Sequence, residues 1–208
     1  MTYKCVIFDF DGTIADTEHH VFDIYNQLAE KYRYKRMSKD DVQGAKNLSF
    51  WEFVKSIGVS YIHLPRLLKE GQHLLKGSIE TVEPFQDNMK DILLEIKQKV
   101  DLMGILTANS TKNVQMFLSN HDLELFDFIE SSTFTGKKRK INSLCKKYKL
   151  SKEEILYVGD EIRDIHACND AGVKCAVVTW GYNYLETLRA HRPDYIITDL
   201  SDLIKIIS

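Results

Sequence analysis

Along most of this chain, short apolar runs alternate with stretches whose apolar positions recur every three or four residues. Residues 3–8 read as a strand, and strand-like runs follow at 100–106, 155–158, 173–178 and 195–197. Between them, residues 88–98, 111–120, 140–148, 164–171 and 184–191 carry helical periodicity. Such alternation predicts a mostly parallel sheet covered on both faces, because parallel strands need crossover connections that put helices there. Punctuation points the same way. Gly172 follows Asn169-Asp170-Ala171 where a helix end wants a left-handed residue. Ser151 and Glu154 form a capping-box pattern directly before the strand-like "ILYVG".

One region breaks the alternation. Residues 17–79 carry helical periodicity in "HVFDIYNQLAEKY", "FWEFVKSI" and "LPRLLKEGQHLL", with no convincing strand. A long strand-free interval after the first strand predicts an all-helical insertion rather than helices that cover a larger sheet. Residues 1–16 and 80–208 are then the sheet-bearing core.

Composition narrows the class. The chain has 208 residues, 44% of them hydrophobic, enough to bury a sizeable core. With 28 basic and 30 acidic residues its net charge is −2, so no global polycation attracts nucleic acid or an anionic membrane. Its four cysteines form no CxxC pair or metal-finger spacing; three lie in segments that read as buried strand or helix faces, and the set reads as reduced thiols. There is no signal-peptide layout and no apolar run of membrane-spanning length, so the expectation is a cytoplasmic protein. The sequons at Asn47 and Asn109 carry no meaning there.

The candidate chemistry lies at the strand ends. "VIFDFD" delivers Asp9 and Asp11, "LMGILTANS" delivers Thr107 with Asn109 and Ser110 just beyond, and "ILYVGDEIRD" delivers Asp160 with Asp164 four residues on. In an open parallel sheet these C-terminal ends gather at one edge, where ligands bind. Crowded carboxylates need a cation, and an oxygen-only donor set with room for water suits Mg2+ better than Zn2+. Residues two apart on an extended segment point the same way, so in Asp-x-Asp one carboxylate can attack while the other handles a proton. Phosphoryl transfer also needs donors and fixed positive charge around the equatorial oxygens. Thr107 and the Ala108 amide supply donors, and "TGKKRKI" supplies a lysine.

"DFDGTIADT", the threonine of "ILTAN", the lysine of "GKKRK" and "GDEIRD" resemble, in order and spacing, the four motifs of the haloacid dehalogenase-like hydrolase superfamily. The resemblance spans essentially the whole chain. Its helical insertion and its tail "TWGYNYLETLRAHRPDYIITDLSDL" look like the branch of phosphoglycolate phosphatases and β-phosphoglucomutases. What this implies is an α/β, Rossmann-like three-layer parallel sheet core with an inserted all-helical cap. The implied reaction is Mg2+-dependent hydrolysis of a small phosphate monoester through an aspartyl-phosphate. Asp9 would be nucleophile and metal ligand. Asp11 would be the general acid/base and offer its backbone carbonyl to the metal. Thr107, Ala108 and Asn109 would bind phosphate, Asp160 would ligate the metal, and Asp164 would orient metal-bound water or the lysine. Gly12 would let the chain turn into the hinge. The lysine is Lys137, with Lys138 as the alternative.

Asp11 argues against dehalogenation, because a halide leaving group needs no proton. The intact Asp-x-Asp likewise argues against phosphonate cleavage, despite cap lysines such as Lys46 and Lys55. A phosphosugar mutase is the alternative, although "VQGAKNLSFWEF" has Gly44 followed by Ala45 and Lys46 where that branch carries an arginine. A catalytically silent binding protein is a distant alternative, since none of the four motifs lacks its key residue. His19 and His20 read as ordinary polar helix positions, and Phe50, Trp51 and Phe53 as cap core. Asp16 and Glu18 could bond the hinge or the substrate. The expected partner is a small phosphorylated metabolite. The chain is compatible with a monomer or a dimer.

Overall fold

The structure, a computed structural model, describes residues 3–133 and 136–208. Six strands form one parallel sheet: β1 (Cys5–Phe8), β2 (Leu102–Thr107), β3 (Phe128–Ser131), β4 (Ile155–Gly159), β5 (Lys174–Val178) and β6 (Tyr195–Ile197), in the order β3-β2-β1-β4-β5-β6. In register, Phe8 lies opposite Ile105 of β2 and Val158 of β4. The chain builds outward from β1 to one edge and then resumes on its other side. The crevice beyond the C-terminal ends of β1 and β4 is therefore the topological switch point.

Side chains on β1 alternate between the two faces. Val6 and Phe8 pack with Met89, Ile92 and Leu93 of α5 (Met89–Lys99), Val114 and Phe117 of α6 (Thr111–Asn120), and Leu203 and Ile207. Cys5 and Ile7 pack with Ile141 and Leu144 of α7 (Lys137–Tyr148), Ile165 and Cys168 of α8 (Ile162–Ala171), and Leu188 of α9 (Leu185–Ala190). Three layers result, and the central strands are apolar throughout because both of their faces are covered. Cys5, Cys145, Cys168 and Cys175 are buried and free.

In the sheet-bearing core, β3 and α10 escape the sequence reading. β3 is an edge strand of four residues, "FIES", too short and too polar to stand out. It is fixed from outside: Asp127 takes the Met103 N–H on its carboxylate at 2.8 Å and gives its own N–H to the Met103 carbonyl at 2.7 Å. α10 (Asp202–Ile207) is a six-residue amphipathic turn whose register emerges only on the sheet. Helix α7 also begins at Lys137, earlier than the periodicity suggests, because its first residues are all cationic.

Between β1 and α5 the described chain holds helices α1 (Glu18–Tyr32), α2 (Lys39–Ala45), α3 (Phe50–Ser56) and α4 (Leu64–Lys76), a single 3-10 turn at Ile79–Thr81 and no strand. Val54, Val59 and Leu64 form a small apolar cluster with Phe50, Phe53 and Ile57 packed against it. Ile24, Leu28 and Leu75 join the main core instead. Trp51 does not fit the cap-core expectation. It is 46% exposed and meets the ring of Tyr61 at 5.5 Å. Among the described residues, no helix is long and apolar enough to cross a membrane.

Candidate active site at the β1–β4 switch point

Asp9 continues the line of β1, its N–H donating to the Val158 carbonyl at 2.8 Å. Its carboxylate is 1% exposed. Oδ1 accepts the Phe10 N–H at 2.8 Å, and Oδ2 accepts Lys137 Nζ at 2.5 Å. The chain then turns sharply. Gly12 adopts φ 81°, where only glycine is comfortable. A Cβ at Gly12 would also overlap the Asp160 carboxylate and the Tyr182 ring.

The structure brings Lys137, not Lys138, to Asp9. At the first turn of α7 the Lys137 side chain runs inward, 2% exposed, and ion-pairs with both Asp9 and Asp164. Lys138, one helical step on, is 52% exposed and faces Asp170 at 3.5 Å. Asp164 is fully committed. One oxygen takes Lys137, and the other accepts the N–H groups of Asp160 and Glu161 at 3.3 and 3.2 Å. Asp160 is buried after β4 and accepts Thr13 Oγ1 and the Tyr182 N–H, each at 2.8 Å.

On the other side of β1, Thr107 ends β2 and its Oγ1 accepts the Asn109 N–H at 2.9 Å. A hydroxyl that accepts one bond can still donate one. Ala108 is buried just beyond it. The Asn109 side chain turns to Asp11, Nδ2 donating to both carboxylate oxygens at 3.0 and 3.2 Å. Asp11 itself is half-buried and lines a cavity of about 320 Å³ with Glu18, Lys46, Asn109, Glu161, Arg163 and Tyr182, and apolar residues of α1, α3 and α4 complete its lining.

Charge is out of balance here. Burial pushes the Asp9 carboxyl up, against the pull of Lys137, and Asp164 adds to the rise. Burial, then the neighbouring Glu161, Asp164 and Asp9, drives Asp160 well above the usual carboxylate range. Asp11 is raised to about 6 by burial and by the charge of Asp9. For Lys137, burial favours the neutral amine, but Asp164 and Asp9 outweigh it and hold the ammonium charged. Carboxylate oxygens of Asp9, Asp160 and Asp164 lie within 4.8 Å of one another. Hard oxygen donors in that crowding fit a divalent cation of the Mg2+ kind. Because Asp164 is spent on Lys137 and two amides, Asp9 and Asp160 have the greater capacity left to hold it.

Several contributors carry no signal in the sequence. Tyr182 braces Asp160 through its backbone and reaches Thr17 with its hydroxyl at 2.9 Å. Asn183 ties the core to the Lys46 and Leu48 carbonyls at 3.0 and 3.1 Å. Glu161 and Arg163 pair at 2.5 Å beside the carboxylates. Glu18 pairs with Lys46, whereas Asp16 donates its backbone N–H to the Glu83 carbonyl at 2.9 Å. His20 bonds Thr81 Oγ1 at 2.9 Å, and His19 pairs with Asp23 at 3.3 Å, away from Asp9, Asp11 and Asp160.

Comparison with known proteins gives a consistent result. Residues 6–178 match the family described as haloacid dehalogenase-like hydrolase. A phosphoglycolate phosphatase of Synechococcus elongatus is 30% identical over 207 residues, covering 99% of this chain and 97% of that protein. Pyrophosphatase PpaX of Bacillus mycoides is 26% identical, covering 100% of this chain and 98% of that protein. A haloacid dehalogenase-like family hydrolase from Streptococcus pneumoniae superposes with a TM-score of 0.83 over 99% of each chain, at 18% identity, a likeness of fold.

Proposed function

Because the chain belongs to the haloacid dehalogenase-like hydrolase family and is a phosphatase of that family, we propose that it hydrolyses a small phosphate monoester, of the kind phosphoglycolate represents, through an aspartyl-phosphate on Asp9. The observation that carries this reading is the buried Lys137 on Asp9, with the half-buried Asp11 carboxyl two residues along. An isolated carboxylate would not stay ionised in such a place; a fixed ammonium beside it lets it remain a nucleophile.

In the first step an Asp9 Oδ attacks phosphorus and the bond to the leaving oxygen breaks. Asp11 gives its proton to that oxygen. In the second, water attacks the phosphoaspartate, Asp11 takes back a proton, and the phosphorus–Asp9 bond breaks to release inorganic phosphate. Thr107 Oγ1, the Ala108 N–H and Lys137 Nζ bind the equatorial oxygens, where charge builds in the transition state. Asp9, Asp160 and the Asp11 carbonyl would hold a Mg2+ ion, which when bound polarises the phosphoryl group and neutralises its charge. Asp164 keeps Lys137 in place. Residues 17–79 act as a cap that covers the site and selects the ester. The four buried, free thiols support a cytoplasmic setting.

The test is a panel of phosphate esters including phosphoglycolate, assayed with Mg2+ and with chelator. At least one ester should be hydrolysed with metal, and Asp9→Asn should abolish turnover and radiolabel transfer from substrate to protein. Full activity of Asp9→Asn would sink the reading.

A further inference from the structure

Asn109 sits two residues beyond Thr107, where a phosphate ligand is expected, yet its side chain is spent elsewhere. Its Oδ1 accepts the Ser110 N–H at 2.7 Å and Asn113 Nδ2 at 3.0 Å. The Ser110 amide can only donate, so it fixes which end of the Asn109 amide is oxygen. The nitrogen end therefore faces Asp11, reaching both carboxylate oxygens. Around it, the Asn109 N–H bonds Thr107 Oγ1 and its carbonyl accepts Ser131 Oγ at 2.7 Å, so the loop is locked from both sides.

The same loop is tied to α4. Asn113 Nδ2 donates to the Gln72 carbonyl at 2.9 Å as well as to Asn109, and Gln72 Nε2 donates to the Ala108 carbonyl at 2.6 Å. Asn109 and Asn113 are 4% and 1% exposed, so water does not compete freely for these bonds. A continuous path runs from α4 through Gln72, Asn113 and Asn109 to the Asp11 carboxylate.

We propose that Asn109 is a positioning residue that orients Asp11 toward the leaving-group oxygen, and that Gln72 couples this orientation to the seating of α4 on the Thr107–Asn109 loop. The proposal rests on the phosphatase reading for its consequence in catalysis. A general acid matters only where the leaving oxygen needs a proton. Losing its orientation should therefore penalise alkyl phosphates, whose alkoxide leaves poorly, and spare p-nitrophenyl phosphate, whose phenolate leaves unaided. A lost phosphate ligand would penalise both alike.

The experiment compares kcat/KM, which reports the step that phosphorylates Asp9, for an alkyl phosphate from the panel and for p-nitrophenyl phosphate. Asn109→Ala should lower the alkyl value by about ten- to a hundredfold, the range a general acid contributes. The p-nitrophenyl value should change less than about threefold, about 0.6 kcal/mol. Gln72→Ala should show the same selectivity with a smaller amplitude, and because the Gln72 side chain bonds the Ala108 carbonyl and not Asp11, this variant guards against a folding defect at Asn109. Equal losses on both substrates, with weakened inhibition by inorganic phosphate, would make Asn109 a phosphate ligand and overturn the proposal. A crystal structure of metal-free Asn109→Ala reads the same claim without turnover. Asp11 should leave the rotamer it holds in the parent, and an unmoved, ordered carboxylate would also overturn it. If no ester is cleaved by the parent protein while Asp11 does move, the failure belongs to the phosphatase reading alone.

Discussion

Lys137 and Lys138 are adjacent, identical in chemistry and opposite in fate. One is enclosed between two carboxylates, the other pairs with Asp170 in solvent. Breaking a buried pair by removing one partner leaves uncompensated charge and costs about 3–5 kcal/mol, whereas an exposed pair contributes about 1 kcal/mol at most. Lys137→Met should therefore lose about 3 kcal/mol in urea unfolding and most of the phosphatase activity. Lys138→Ala should stay within about 0.5 kcal/mol of the parent, with full activity. Similar effects for the two variants would contradict the burial described here. The sequence points to Lys137 but keeps Lys138 as an alternative, because "KKRK" offers four cations in a row and the helix start decides which one turns inward. Asp9, Asp11 and Asp160, by contrast, were readable as residues, since carboxylates that terminate apolar strands stand out against their surroundings.

At the scale of elements, the strands of the sheet's middle were legible and its edge was not. β1, β4 and β5 are covered on both faces, so they read as unbroken apolar runs. β3 borrows its position from β2 through Asp127, which also pairs with Lys97 at 2.6 Å. Asp127→Ala leaves the Met103 N–H without its acceptor, a loss of about 1–3 kcal/mol. Its expected signature is a lower Tm with faster hydrogen exchange at Met103, while kcat with the best ester changes little. Unchanged exchange at that amide would show that β3 keeps its register without the clamp. Helices α1 to α4 follow the same logic in reverse. Their periodicity announced helices, but not that Trp51 would lie on an exposed face or that Asn183 would bind the α2–α3 loop.

Over the whole molecule, the site gathers residues from β1, β2, α7, the loop after β4 and the loop after β5, segments far apart in the chain. Five carboxylates, those of Asp9, Asp11, Asp160, Glu161 and Asp164, crowd together here, with Lys137 paired to Asp9 and Asp164 and Arg163 paired to Glu161. A cation that binds this folded arrangement and not the unfolded chain must stabilise it, by about 2.7 kcal/mol at a hundredfold excess over Kd. Mg2+ should therefore raise Tm in a concentration-dependent way, and Asp160→Asn should abolish that rise whatever its effect on the metal-free protein. A Tm indifferent to Mg2+ would remove the metal from the proposal. The sequence by itself determined the alternation of strands and helices, the helical interval at 17–79 and the charged strand ends, because periodicity and buried charge are local properties. Only the tertiary structure decided which lysine meets Asp9, that Asn109 faces Asp11, and that Tyr182 and Asn183 brace the site. Those contacts depend on how separate elements dock, and no spacing along the chain encodes them.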